Sequence, residues 1–215
     1  MSIKRRFNQI LFAAVAAISL TLGYWLSQSK HQDGLPAIPN EFEATVFPEA
    51  RDLVPFKLLD QDGQAFTPDS LKHKWNLLFF GFTHCPDVCP TTLKVLQDVW
   101  SELPAPVRDR TRVLFVTVDP NRDTPAIIKD YVQFFNPAFM GITGNLGQIT
   151  AFTRSIGILY EYVSKGDGKN NYGVNHSAQI ILIDPQARLR AVFPAPHDPD
   201  ELRKNYQTIV DFYKG

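Results

Sequence analysis

Two long apolar runs, residues 75–82 and 112–118, limit the fold of this chain more than any other feature. Neither run alternates between apolar and polar residues, and such continuous runs are typical of strands that are buried on both faces. A sheet built on strands of this kind must be covered by other elements on both sides. Between the two runs, residues 91–103 carry apolar side chains at helical spacing and are predicted to form a helix.

The rest of the globular part continues to alternate between predicted strands and helices. A turn at Asp62-Gly63 predicts a hairpin over residues 54–66. The aromatic pair Phe134-Phe135 is assigned to the core. This order of elements predicts an α/β domain in which a mixed central sheet is flanked by helices, as in a thioredoxin-like fold. The further predicted strands cover residues 158–163, 178–183 and 189–193, and the further predicted helices cover residues 124–135, 146–156 and 198–213.

Residues 1–29 are predicted to be a membrane anchor outside the folded domain. No charged residue occurs between Arg6 and Lys30, and residues 10–26 are almost wholly apolar. At about 1.5 Å per residue, this stretch is long enough to cross a hydrocarbon core of roughly 30 Å. The basic residues that end at Arg6 are expected to keep the N-terminus in the cytoplasm, so that a single pass through the inner membrane exports the remainder.

A cleaved signal peptide is the alternative interpretation of the N-terminus. Cleavage needs small residues directly after the apolar run, whereas here residues 13–17 place them inside it. This arrangement favours a retained anchor. Export would place the domain in the periplasm or an equivalent extracytoplasmic space, where a disulfide can persist.

The remaining chain is predicted to divide into a linker over residues 30–52 and a thioredoxin-like domain over residues 53–215. Proline and glycine residues interrupt any regular period in the linker. Lys and Arg together number 22, as do Asp and Glu, so the formal net charge is zero. This balance gives no indication of a nucleic-acid partner.

Cys85 and Cys89, the only cysteines of the chain, lie where the first buried strand passes into the predicted helix. Unpaired N–H groups at a helix N-terminus favour thiolate over thiol. If the segment is helical, a spacing of four places both sulfurs on one face. This is the segment in which we expect the working site.

Three roles are open for this cysteine pair. A structural disulfide that closes so short a loop would stabilise the fold by only about 2 kcal/mol. Thiol–disulfide exchange is the second role, although thioredoxin-type pairs usually have two intervening residues rather than three. Binding of a soft metal ion such as Cu(I) is the third, because two thiolates suit that ion and the additional residue leaves room for it.

A metal site with two thiolates needs a further ligand, and histidine is one source of it. His84 adjoins Cys85, but neighbouring residues at the end of a strand point to opposite faces. His176 follows a Gly- and Asn-rich loop that would let it move towards a metal, although a histidine in such a place is more often a surface or capping residue. The other three are assigned to the surface. The chain's histidines are His31, His73, His84, His176 and His197.

Three segments of the chain together resemble the Sco/SenC family of copper-binding assembly factors for cytochrome c oxidase. They follow the family's order within residues 53–213. The segments are 82–93 (FTHCPDVCPTTL), 118–125 (VDPNRDTP) and 172–177 (YGVNHS).

The resemblance implies a membrane-anchored thioredoxin-like domain that holds copper, as Cu(I) or Cu(II), on two cysteines and one histidine. At the matching positions these are Cys85, Cys89 and His176. It also implies a role in maturing the binuclear copper centre of the oxidase, whose copper-centre subunit would be the partner. An upstream copper donor or thiol reductant would be a further partner.

Two functions from different classes follow from this set of residues. The first is a copper metallochaperone, which is a binding protein rather than an enzyme. The second is a thiol–disulfide reductase that keeps the cysteines of the target reduced. It would use Cys85 and Cys89 as a redox-active pair and make His176 dispensable. A peroxidase of the peroxiredoxin type is a third and more distant interpretation.

Asp119 and Asp123 are further candidates for a place beside the site. Asp119 ends the strand expected next to the cysteine-bearing strand, so it could support the metal ligands or help to dock a partner. The structural alternative is that Asp119 caps a turn and that Asp123 pairs with a nearby arginine.

Overall fold

The computed structural model describes residues 18–23, 44–164, 166 and 172–213. The chain divides into two units, Met1–Glu41 and Phe42–Gly215. Of the anchor predicted over residues 1–29, the described part contains only residues 18–23, which are helical and exposed. No helix within the described residues is long and apolar enough to cross a membrane. The rest of the predicted anchor, and residues 30–43 of the predicted linker, lie outside the described residues.

Among the described residues, eight strands of the second unit form one mixed sheet in the order β1-β10-β9-β4-β5-β6-β2-β3, and β7 pairs with β8 in a separate sheet. Strands β4, β5 and β6 are parallel, whereas the other neighbours pair antiparallel. The strands are β1 (Thr45–Asp52), β2 (Leu58–Asp60), β3 (Ala65–Phe66), β4 (Trp75–Gly81), β5 (Thr111–Thr117), β6 (Met140–Thr143), β7 (Tyr160–Ser164), β8 (Tyr172–His176), β9 (Ile180–Ile183) and β10 (Arg188–Phe193).

The central strand β4 is buried along its whole length, as its apolar run predicts. Leu77 and Phe79 contribute to one apolar core, and Leu78 and Phe80 contribute to the other. The helices are α1 (Val88–Glu102), α2 (Ala105–Arg108), α3 (Pro125–Phe135), α4 (Leu146–Ser155) and α5 (Pro199–Phe212), with a 3₁₀ turn at Pro68–Leu71. Helices α1, α3 and α5 cover the first core, and α4 covers the second. The predicted thioredoxin-like α/β architecture is confirmed.

The segment predicted as a linker contains strand β1. Residues 45–52 pair with β10 at the edge of the sheet, and their register shifts between Val46 and Arg51. Pro48 lies within that irregularity, where a missing N–H donor does not interrupt the ladder. Arg190 of β10 donates to the carbonyls of Phe47 and Pro48, at 3.1 Å and 3.0 Å. The linker prediction over residues 30–52 is therefore wrong for residues 45–52.

One aromatic residue assigned to the core lies outside it. Phe134 is 84% exposed, whereas Phe135 packs against the core. The buried face of α3 is formed by Ile128 and Val132. Phe135 lies on that face because it follows Ile128 by seven positions and Val132 by three. Helical geometry turns Phe134 to the opposite side.

Candidate metal centre

The two cysteines occupy different kinds of backbone at the carboxyl end of β4. Cys89 lies in the first turn of α1 and is fully buried, whereas Cys85 lies in the preceding loop and is partly exposed. The Cys85 N–H donates to the Phe82 carbonyl at 3.1 Å, which turns the loop back towards the strand. The sulfurs therefore approach each other across a loop, and stacking on one helical face does not apply because Cys85 precedes the helix.

Helix α1 begins at Val88, three residues earlier than the sequence predicts. Asp87 is its N-cap residue, and Cys89 and Pro90 follow within the first turn. Proline is tolerated there because N–H groups of the first turn have no partner within the helix. The N–H groups of Asp87 and Cys89 are consequently free to donate to the Cys85 sulfur.

Gly81 ends β4 directly beneath the Cys89 thiol. A Cβ atom added at this position would lie 2.5 Å from the Cys89 sulfur and 2.9 Å from the Phe115 ring. Both distances are too short for a real side chain, so only glycine allows this approach. The role of Gly81 is not visible in the sequence, because the contact depends on a residue eight positions away and on a neighbouring strand.

His176 is the last residue of β8, and it faces the buried cysteine. Its Nε2 atom lies 3.3 Å from the Cys89 sulfur, and its Nδ1 atom lies 3.1 Å from the Ser177 carbonyl oxygen. A carbonyl oxygen only accepts hydrogen bonds, so Nδ1 carries the proton and Nε2 keeps its lone pair. The rings of Phe79 and Phe82 meet the imidazole edge-on, at centroid distances of 6.1 Å and 6.0 Å. The histidine is thereby held in the tautomer that can ligate through Nε2.

The backbone around His176 differs from the predicted one. Residues 172–176 form a strand paired with β7, whereas the sequence analysis placed His176 between a loop and the strand predicted over 178–183. Ser177 fixes the end of β8, because its N–H donates to the Leu159 carbonyl at 2.9 Å and its Oγ accepts from the Leu159 N–H at 3.2 Å. Most of the loop predicted over residues 166–171 lies outside the described residues.

The three predicted ligands meet at one place. The sulfur atoms of Cys85 and Cys89 and a ring nitrogen of His176 all lie within 4.8 Å of one another. Two sulfur donors and one imidazole form a donor set that suits Cu(I), and an imidazole nitrogen also suits Cu(II). His84 stays outside this cluster, since its side chain is 55% exposed and its Nδ1 lies 3.0 Å from the Thr83 Oγ.

The charge of the cysteine pair is concentrated on Cys85. A hydrogen bond from the Cys89 thiol, supported by hydrogen bonds from two backbone N–H groups, lowers the pKa of Cys85 to about 3. The same Cys89–Cys85 hydrogen bond and the burial of the sulfur raise the pKa of Cys89 above its ordinary value. Cys85 is therefore the thiolate of the metal-free pair, and Cys89 keeps a proton that it must release when a metal binds.

Asp123 supports the loop that carries the cysteines. It is fully buried, and its carboxylate accepts from the Thr83 N–H at 3.0 Å, the Thr83 hydroxyl at 2.5 Å and the Thr117 hydroxyl at 2.6 Å. Burial raises the pKa of Asp123, although these hydrogen bonds act in the opposite direction. Asp123 thus connects the residues after β4 to the end of β5, and its partners are Thr83 and Thr117 rather than the arginine of the structural alternative.

Asp119, rather than Asp123, is the aspartate that pairs with an arginine. Its carboxylate forms an ion pair with Arg122 and accepts from the Tyr172 hydroxyl at 2.7 Å. Tyr172 belongs to β8, so Asp119 contacts the strand that ends in His176. Both Arg122 and Tyr172 lie in segments that the sequence analysis singled out, but nothing in their spacing showed that they meet.

The histidines assigned to the surface include one that is partly buried. His197 Nε2 lies 2.8 Å from the Ala178 carbonyl oxygen, and burial lowers the pKa of this imidazole. His73 adopts a left-handed backbone conformation with a φ of 68°. His31 lies outside the described residues. Neither His73 nor His197 belongs to the cluster of Cys85, Cys89 and His176.

Comparison with known proteins connects this site to one family. The family model described as SCO1/SenC matches residues 48–211. A protein of Stutzerimonas stutzeri that is named for copper binding is 34% identical over 175 residues, which cover 81% of this chain and 85% of that protein.

Solved structures with copper bound show the same similarity. ScoI of Bradyrhizobium japonicum is 37% identical with a TM-score of 0.65, and the match covers 74% of this chain and 99% of that one. ScoI of Arabidopsis thaliana is 32% identical with a TM-score of 0.69, and the match covers 75% and 99% of the two chains.

Proposed function

The chain belongs to the SCO1/SenC family, and on this premise we propose that it is a copper metallochaperone with Cys85, Cys89 and His176 as ligands. Proteins of this family bind copper and take part in the assembly of cytochrome c oxidase. The chain would deliver copper to the binuclear copper centre of that oxidase or prepare the centre for it. The observation that carries the proposal is the approach of the three donor atoms to within 4.8 Å.

The three ligands differ in ways that suit binding and release. Cys85 is partly exposed and carries the negative charge of the pair, so it is the donor that incoming copper meets first. Cys89 then releases its proton, and the Nε2 lone pair of His176 completes the site. A thiolate of the copper-centre subunit would displace Cys85 first, because Cys89 is fully buried and cannot be reached from solvent. Copper thus passes between proteins by ligand exchange without becoming free.

The proposal covers both oxidation states of copper. Two thiolates favour Cu(I), and the imidazole extends the donor set towards Cu(II). It also includes the anchor over residues 1–29, which would keep the domain beside a membrane-embedded oxidase and on the periplasmic face of the inner membrane.

Copper titration of the full chain in detergent, under reducing conditions and against a Cu(I) chelator, tests this function. We expect one copper per chain, and at least about 10-fold weaker binding after His176→Ala. Cys85→Ser and Cys89→Ser should weaken binding further, because each removes a thiolate. His84→Ala is the matched control, since His84 adjoins Cys85 but lies outside the cluster. Equal affinity of His176→Ala and the parent chain would contradict the three-ligand site.

The asymmetry of the cysteine pair supports thiol–disulfide reduction as a second candidate. The Cys85 thiolate would attack a disulfide of the target and form a mixed disulfide, and one target sulfur would leave as a thiolate. Cys89 would then lose its proton and attack the Cys85 sulfur, which releases the target as a dithiol and leaves a Cys85–Cys89 disulfide. The two electrons come from the cysteine pair, which an external thiol reductant must restore.

The role of His176 separates the two candidates. A reductase with His176→Ala should reduce a disulfide peptide of the copper-centre subunit at the rate of the parent, whereas a metallochaperone with this change should fail to metallate it. A cysteine pair with a reduction potential above that of the target disulfide would exclude the reductase, because electrons could not pass to the target.

A further inference from the structure

His176 is carried by a small sheet that stands apart from the main one. Strands β7 and β8, called here the β7–β8 ladder, pair with each other and with no strand of the eight-stranded sheet among the described residues. In this ladder Tyr160 pairs with His176, and Ser164 pairs with Tyr172. The distance between His176 and the cysteines therefore depends on side chains that fasten the ladder to the body of the domain.

Three residues, called here the latch, hold the β7–β8 ladder against the body of the domain: Asp119, Arg122 and Tyr172. The Tyr172 hydroxyl donates to Asp119 at 2.7 Å, and the Arg122 Nη1 donates to the Tyr172 carbonyl oxygen at 3.2 Å. The Arg122 guanidinium also lies over the Tyr172 ring, 3.9 Å from its centroid, and forms an ion pair with Asp119. Tyr172 is thus held through its ring, its hydroxyl and its backbone.

The latch is attached to the part of the sheet that presents the cysteines. The parallel strands β4 and β5 end at the same edge of the sheet, where their last residues, Gly81 and Thr117, pair with each other. Asp119 and Arg122 follow β5, just as the cysteine loop follows β4. The latch therefore connects the histidine-bearing ladder to the strand beside the cysteine-bearing one.

A shared aromatic ring brings the latch close to the ligand itself. The Arg122 guanidinium lies 5.6 Å from the centroid of the Phe82 ring, and the same ring meets the His176 imidazole edge-on at 6.0 Å. Phe82 is buried, so it has little freedom to adapt to a displaced neighbour. Movement of Arg122 would consequently be transmitted to the imidazole.

The latch is strong because its charges are buried. The Asp119 side chain is 0% exposed and that of Arg122 is 15% exposed. Separating a buried ion pair leaves an uncompensated charge, which is strongly unfavourable.

A second contact, from the Tyr162 hydroxyl to the Val118 carbonyl at 2.7 Å, fastens the other strand of the ladder. The ladder is thus held at both strands to the segment that follows β5.

We propose that Tyr172 and Arg122 are positioning residues for His176, which keep the β7–β8 ladder docked so that Nε2 faces the Cys89 sulfur. This inference rests on the proposed function, since its purpose is to hold the histidine ligand in reach of copper. Neither residue contacts the donor atoms of the site. Their effect on copper must therefore pass through His176.

A double-mutant cycle in the full chain tests this positioning role. Tyr172→Phe removes one hydroxyl and keeps the ring beneath Arg122. We expect it to weaken Cu(I) binding about 10-fold, as changes to groups that orient a metal ligand typically do. In the His176→Ala background the same change should have no further effect. Tyr213→Phe is the matched control, because the Tyr213 hydroxyl is buried and has no hydrogen-bond partner among the described residues.

Hydrogen exchange of the metal-free chain provides a measurement that does not depend on copper. We expect the backbone amides of β8 to exchange about 5-fold faster in Tyr172→Phe than in the parent, as the loss of one hydrogen bond implies. Amides of β4 should be unchanged, which would exclude a general loss of stability. Unchanged exchange in β8 would contradict the latch.

The outcomes separate this inference from the proposed function. Equal weakening of copper binding by Tyr172→Phe with and without His176 would overturn the positioning role but leave the copper site intact. No copper binding by the parent would contradict the proposed function and the purpose of the latch, while hydrogen exchange would still decide whether the latch holds the ladder.

Discussion

Gly81 lies where β4 ends, and its missing side chain lets the Cys89 sulfur approach the strand. The cysteines could be predicted from the sequence because both occur in one motif. Gly81 could not, because its role appears only when α1 folds back over the sheet. The partner of Arg122 could not be predicted for a similar reason: Asp123 is its immediate neighbour in sequence, but Arg122 pairs with Asp119, which also contacts β8.

Replacing Gly81 by alanine is expected to displace the Cys89 sulfur from its place beside His176. We expect Cu(I) affinity to fall at least about 10-fold and the free energy of unfolding to fall by roughly 1–3 kcal/mol, as overpacking typically costs. Chelator competition and urea unfolding measure these effects. Gly147→Ala is the control, because its added methyl would lie 3.1 Å from the Asn145 side chain, away from the site. A Gly81→Ala chain that binds copper like the parent would refute this explanation.

At the scale of elements, the strands with continuous apolar runs were predictable, whereas β1 and β8 were not. The apolar runs of β4 and β5 mark buried strands, and both are confirmed. Strand β8 has only five residues and includes Gly173 and Asn175, which are poor strand formers. It forms because β7 pairs with it, and that pairing leaves no periodic signal in β8 itself. Strand β1 was missed because Pro48 lies within it.

Arg190 holds the edge strand β1 through two hydrogen bonds to its backbone. We expect replacement of this arginine to destabilise the fold. The Arg190 side chain is 6% exposed and is paired with the buried Asp184 at 3.0 Å. Arg190→Ala should lower the free energy of unfolding by about 3 kcal/mol, because it leaves a buried carboxylate with a weaker set of partners. Urea unfolding at constant pH measures this loss.

Arg188→Ala is the matched control for that experiment. Arg188 pairs with the same carboxylate at 2.9 Å, but its side chain is 37% exposed. Water can take the place of this partly exposed guanidinium, so the expected loss is that of a surface ion pair, about 0–1 kcal/mol. Equal losses in the two variants would show that Arg190 does not fasten β1 to the sheet in the manner described.

At the scale of the whole molecule, the prediction that remains is the anchor over residues 1–29. The chain expressed in a Gram-negative host should remain in carbonate-washed membranes, because a retained apolar span resists such extraction. Protease added outside spheroplasts should degrade the globular domain, since the basic residues before the span keep the N-terminus inside. A variant lacking residues 2–29 should be found in the soluble fraction. A shortened parent chain released into the periplasm would indicate a cleaved signal peptide instead.

The ligand set of Cys85, Cys89 and His176 can be examined by X-ray absorption of the copper-loaded chain. For the parent loaded with one Cu(I), we expect two sulfur scatterers and one imidazole nitrogen around the metal. In His176→Ala the nitrogen contribution should disappear while both sulfurs remain. A copper centre of the parent that lacks the imidazole, or one that is unchanged by His176→Ala, would contradict the site formed by Cys85, Cys89 and His176.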